Sequence, residues 1–193
     1  MNRIFSAHQI QERFQRYANV NAAVEVKIKN KDLFRLKRGL YSDDASENPL
    51  AIANALYGPS YLSFSYALSR YGMIPEAVYA CQSATTLKNR SKEFQNEFGR
   101  FTYRDVPAAA FPYGVQSEGG ILIASREKAL CDLLYLLPPQ HSLKDLEALL
   151  FEDQRLNRDE VLSLSWEPLS FLLPRYSSQN AELFLRWGKK HHG

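Results

Sequence analysis

The sequence predicts an α+β protein: a small basic head built like a winged helix-turn-helix, then a larger mixed α/β body that closes in several helices. Three observations predict it. Residues 1–42 hold nine Lys/Arg against three acids, a net of +6, whereas the other 151 residues hold 15 basic and 18 acidic groups, a net of −3. The head reads as a capped helix, a second ordered segment and a strand–turn–strand. The body alternates helix signals with strand-like runs and then shows a succession of helix N-caps. A basic head on a mildly acidic body suggests a polyanion-binding module joined to something else.

In chain order, Ser6 is placed to cap a first helix, with Gln9 at N3 completing a capping box and Phe5 and Ile10 at the staple positions. Ile10, Phe14 and Tyr17 follow at helical spacing as one buried stripe. Residues 19–32 are open to two readings. Val24, Val26 and Ile28 alternate with Glu25, Lys27 and Lys29, as in a strand, yet a helix capped by Asn19 or Asn21 fits as well. Leu33 to Leu36 reads as a short strand, Lys37-Arg38-Gly39 as a basic bend, and Leu40-Tyr41 as the return. Residues 43–47 read as a linker between a head at 1–42 and a body at 48–193.

Within the body, Asn48-Pro49 opens a helix through Leu56, and Gly58-Pro59 breaks it. Ser60 to Tyr71 is expected to be a helix stopped by Gly72. Val78–Cys81, Phe101–Val106 and Ile121–Ile123 are expected to be strands. Ser125 caps a helix carrying Leu130, Leu133, Leu134 and Leu137 on one side. Ser142 with Asp145, and Asn157 with Glu160, start two more. An amphipathic segment, Ala181 to Trp187, then precedes a frayed tail, Gly188 to Gly193.

Composition sets limits on function. Apolar residues are 45% and charged residues 23%, as in ordinary globular domains. No apolar run reaches membrane-spanning length, and Arg3, His8 and Gln9 interrupt any leader-like start, so a cytoplasmic protein is expected. Cys81 and Cys131 lack metal or redox spacing and are expected to be buried thiols. The histidines, His8, His141, His191 and His192, form no metal-ligand pattern, so neither a metal nor a cofactor is expected. Asp105 with Glu127-Lys128 superficially resembles a nuclease core. However, Glu127 and Lys128 are adjacent and sit in a helix's first turn, where Glu is expected for dipole reasons. No catalytic residues are assigned, and no enzyme is expected.

The basic residues are the better lead. Lys27, Lys29 and Lys31, then Arg35, Lys37 and Arg38, lie within twelve residues and are interleaved with apolar positions, so the segment folds rather than dangling. They flank a helix-or-strand segment and a hairpin, the parts of a winged helix-turn-helix. A solvated charged face is the alternative. On a wing, Arg35, Lys37 and Arg38 would meet phosphates; on a recognition helix, Lys27, Lys29, Asn30 and Lys31 could reach phosphates or base edges. Gly39, with Tyr41 beyond it, is the backbone feature of the wing: a tight bend after Arg38 calls for positive φ.

Three stretches resemble the AbiEi family, the antitoxins of type IV abortive-infection toxin–antitoxin systems and related transcriptional regulators. They are residues 33–41 (LFRLKRGLY); residues 52–56 (IANAL) with 59–76 (PSYLSFSYALSRYGMIPE); and Thr85-Thr86, 98–104 (FGRFTYR) and 124–135 (ASREKALCDLLY). The resemblance covers most of residues 19–137. It implies an N-terminal winged helix that binds operator double-stranded DNA and represses its own operon, with 19–31 as the recognition helix. It also implies a body that counteracts a nucleotidyltransferase-like toxin, generally without a stable complex. The chain departs from the family pattern at its start, where only residues 1–18 precede the recognition segment. A runner-up reading is a protein-interaction module whose basic head contacts an acidic partner, such as the toxin itself.

Overall fold

The Ser6 hydroxyl accepts a hydrogen bond from the Gln9 amide (3.3 Å), and Gln9 Oε1 accepts one from the Ser6 amide (2.8 Å), so the capping box forms as expected. The computed structural model describes residues 3–191; the tail's His192 and Gly193, like Met1 and Asn2 of the head, lie outside the described residues. The head runs β1 (Ile4–Ser6), α1 (Ala7–Arg13), α2 (Val20–Lys29), β2 (Phe34–Lys37) and β3 (Leu40–Ser42). Its three strands form an antiparallel sheet in the order β1-β3-β2.

The ambiguous segment is a helix. Asn19 caps it, its side chain accepting from the Ala22 amide at 3.1 Å. The helical reading prevails because Val20, Val24 and Ile28, spaced by four, all meet the head's core of Ile10, Phe14 and Leu33. Val26, which the alternating pattern would bury, is 55% exposed. Tyr17 is also exposed: α1 stops at Arg13, so the buried stripe ends with Phe14.

The body begins with α3 (Pro49–Leu56), capped by Asn48, and is built on a six-stranded mixed sheet. Its strands are β4 (Ser60–Leu62), β5 (Cys81–Thr85), β6 (Lys92–Asn96), β7 (Gly99–Asp105), β8 (Val115–Glu118) and β9 (Ile121–Ala124), ordered β6-β7-β5-β4-β9-β8. The β4/β9 and β5/β7 pairs are parallel, the others antiparallel. Register assigns the faces. Tyr103, level with Ser83, donates to the Ala53 carbonyl of α3 (2.6 Å), whereas Tyr61, level with Ala84, reaches Asp132 of α5 (Arg126–Leu136). Since residues 83 and 84 point to opposite faces, α3 covers one side and α5 the other. Packed beside α5 is α4 (Phe64–Arg70); α6 (Leu143–Ala148), α7 (Arg158–Leu162), α8 (Trp166–Leu172) and α9 (Gln179–His191) complete the chain.

Three expectations need correction. Ser60–Leu62 is a buried strand rather than the start of a helix; pairing with β5 overrides the apolar run, and the helix starts only at Phe64. The strand expected at Val78–Cys81 lies at Cys81–Thr85, and Tyr79 before it is exposed. The tail is not frayed up to His191. α9 continues through Gly188, which is buried against Trp166, and the His191 ring stacks on Trp187 at 4.2 Å. A Cβ at Gly188 would sit 2.0 Å from the Trp166 ring, so only glycine permits that approach.

The head does not hang free. Leu36 of β2, 2% exposed, belongs to the body's core rather than to the head's. Asn96 Nδ2 donates to the Leu36 carbonyl (3.0 Å), and the Phe34 and Phe98 rings meet edge-on at 5.6 Å. Residues 43–44 are likewise held: Asp43 accepts from Arg3 (2.9 Å) and Arg13 (2.7 Å), and Asp44 accepts from Arg3 (3.1 Å). Burial pushes the Asp43 carboxyl up, but hydrogen bonds from Arg13 and Arg3 outweigh it and hold the pKa below the ordinary value.

Candidate nucleic-acid interface

Arg3 and Arg13 engage Asp43 and Asp44, and the other basic residues of the head fall into three groups. Lys27 and Arg35 are paired with the head's own acids: Lys27 Nζ lies 2.9 Å from Asp32, and Arg35 bonds Glu25. Hydrogen bonding to these carboxylates raises both cations' pKa values. The Arg35 guanidinium also stands 5.9 Å from the Tyr41 ring, its cross-strand neighbour. These are exposed pairs in water, weak enough to exchange for a phosphate. Lys37 turns inward instead, donating to the Leu56 carbonyl at the end of α3. The wing lysine is therefore a joint between head and body.

Lys29, Lys31 and Arg38 make up the third group. All are exposed and, among the described residues, none is in an ion pair; Arg16 resembles them. Over residues 3–44 there are nine Lys/Arg and five acids, a net of +4. Of those acids, Glu25, Asp32, Asp43 and Asp44 are already engaged by arginine or lysine. Unneutralised positive charge thus collects at the end of α2 and at the wing turn.

Local geometry explains how Lys31 is presented. Asn30 is the C-cap of α2 and is exposed. The Lys31 amide donates to the Ile28 carbonyl (3.0 Å) and the Asp32 amide to the Lys27 carbonyl (2.9 Å), the two bonds of a Schellman motif. The residue after the cap then lies in the left-handed region, and Lys31 has φ +59° where glycine is the usual occupant. At the wing, Gly39 has φ +81°, as the bend requires. The outward face of α2 carries Asn21, Ala22, Glu25, Val26 and Lys29, a mix of polar, acidic, basic and apolar groups.

Sequence reasoning missed a second polar constellation. Lys128 and Asp132 of α5 are fully buried and 3.2 Å apart. Lys128 Nζ donates to the Ala110 carbonyl (2.8 Å) and to Tyr176 Oη (2.6 Å); Tyr176, Tyr61 (3.0 Å) and Ser63 (2.6 Å) all donate to Asp132. Burial raises the Asp132 pKa and lowers that of Lys128. The signal was present in two charges four residues apart, Lys128 and Asp132, with Asp132 set among the leucines of the helix. The network is enclosed, and it ties β4, α5 and the short 3-10 turn Leu173–Tyr176 together. Cys81 and Cys131 are buried free thiols, the first pushed up to about 11 by burial.

Among the described residues no helix is long and apolar enough to cross a membrane, and no cluster of three or more His, Cys, Asp or Glu could hold a metal ion. What the fold and this surface define is an α+β protein with a helix–helix–hairpin head whose exposed side is basic. No protein-family model matches the chain, and no curated protein matches it either.

Proposed function

We propose that this protein is a DNA-binding repressor and antitoxin of the type IV kind. Its head binds operator double-stranded DNA, and its body counteracts a nucleotidyltransferase-like toxin in the cytoplasm, with neither catalysis nor cofactor of its own. The observation that carries the DNA reading is the unneutralised set Lys29, Lys31 and Arg38, placed on a helix exit and a wing turn while neighbouring acids are engaged elsewhere. The antitoxin half rests on the resemblance of residues 33–135 to the AbiEi family. Two experiments test the two halves. Selection from random duplexes, alongside the DNA upstream of the protein's own gene, should return a preferred site. Co-expression with a nucleotidyltransferase-like toxin should restore growth without a stable complex. No enrichment and no rescue would refute the proposal, and a co-eluting complex would favour direct binding of an acidic partner.

A further inference from the structure

A second group of cations gathers where the head meets the body. The Lys88 ammonium stands 5.3 Å from the centre of the Tyr57 ring, and that of Lys92 stands 5.4 Å from the Phe94 ring. The wing's Lys37 lies 5.9 Å from the same Phe94 ring, and the Tyr57 and Phe94 rings are neighbours at 6.2 Å. Among the described residues, none of these lysines is in an ion pair. The adjacent acid Glu93 is held by two nitrogens of Arg100, at 2.7 and 3.1 Å. Asp105 braces the loop from within: its Oδ2 accepts the Lys88 (2.8 Å) and Asn89 (2.6 Å) amides, and its Oδ1 is buried without a hydrogen bond. That bracing holds a tight loop in which Leu87 and Asn89 both have positive φ. Residues 86–92 contribute Lys88, Arg90 and Lys92 and no acid, in a body (residues 48–193) whose 15 basic and 15 acidic groups balance.

An aromatic face attracts an ammonium electrostatically. It makes no use of the N–H donors pointing away from it, which remain available to an anion's oxygens. Cations fixed around two adjoining rings suit a chain of regularly spaced oxyanions, a phosphodiester backbone, better than a single small anion. The position selects the source: Lys37 belongs to the wing, Lys88 and Lys92 to the body, and β2 packs against β6, so the group straddles the joint between the head and the edge of the body's sheet. We infer that Lys88 and Lys92 form a second phosphate-contact site for double-stranded DNA, so that the bound duplex extends from the head over the edge of the body's sheet. The inference rests on the DNA reading of the head and deepens it.

The test uses the full chain with Lys88→Ala and Lys92→Ala together, titrated against a random duplex of about 30 base pairs at several salt concentrations. The slope of log affinity against log salt should fall in magnitude by about 1.8 relative to wild type, about 0.9 for each phosphate no longer neutralised. The Lys88→Arg/Lys92→Arg variant should keep the wild-type slope, separating charge from damage to the fold. Wild-type binding with an unchanged slope in the alanine variant would overturn the inference and leave the head's DNA reading standing. The inference would also be overturned if the alanine variant ceased to bind poly-glutamate while keeping its DNA slope, which would reassign the lysines to an acidic protein. No DNA binding by wild type would overturn both.

Discussion

Lys31→Gly should make the protein more stable and a weaker DNA binder at once. Lys31 has φ +59° at the exit of α2. For a residue with a Cβ the left-handed region costs roughly 1–2 kcal/mol, and glycine occupies it freely. Glycine's greater freedom in the unfolded chain returns roughly 0.5–1 kcal/mol of that. The net gain is about 0.5–1 kcal/mol, and at this size each kcal/mol moves Tm by roughly 2–4 °C, so Tm should rise by about 1–4 °C. The side chain is exposed and unpaired, so its removal breaks no ion pair within the protein. Against random duplex DNA the salt slope should fall in magnitude by about 0.9, the value for one phosphate. Thermal unfolding followed by circular dichroism and fluorescence titration at several salt concentrations read the two effects separately. A lower Tm would refute the backbone argument, and unchanged DNA affinity and slope would remove Lys31 from the interface.

Leu36→Ala should cost about 3 kcal/mol, because a fully buried leucine at the head–body joint leaves a cavity; urea unfolding should show a lower midpoint, whereas Leu122→Ala, at an exposed site, should stay within about 0.5 kcal/mol. Deleting residues 1–42 should abolish recognition of a preferred DNA site and also lower the body's Tm, since Leu36 goes with the head. Lys128→Met should destabilise by about 3–5 kcal/mol by leaving Asp132 buried and unpaired, and adding Asp132→Leu should recover part of that loss in a double-mutant unfolding cycle. The pKa of Asp43 is lower in the folded protein than in the unfolded chain, so its contribution is present above the unfolded value and lost as pH falls through the folded one. Acid unfolding of Asp43→Asn should lack that component below about pH 4.

Much of the architecture was legible where local chemistry decides it. Ser6 with Gln9, Asn48-Pro49, Ser125, Ser142 and Asn157 all start helices as their side chains indicate. What escaped depends on partners remote in sequence. Ser60–Leu62 is too short to show a period and becomes a strand only through pairing with β5. The edge strands β6 and β8, polar and partly exposed, carry no apolar alternation to read. The same limit applies to the site. That residues 27–38 form a basic surface was legible, but composition could not separate Lys29, Lys31 and Arg38 from Lys27 and Arg35, which pair with nearby acids. Nor could it reveal that Lys37 turns toward the Leu56 carbonyl, because that hydrogen bond exists only once α3 packs behind the wing.

The central claim is that the head is a DNA reader whose phosphate contacts come from its unpaired cations. It is tested most directly by the salt dependence of duplex binding for wild type and for Lys29→Ala, Lys31→Ala and Arg38→Ala combined. The account predicts that the magnitude of the log–log slope falls by about 2.7, for three phosphates, with thermal stability no lower than that of wild type by more than about 0.5 kcal/mol. An unchanged slope in the triple variant, or wild-type affinity insensitive to salt, would contradict it.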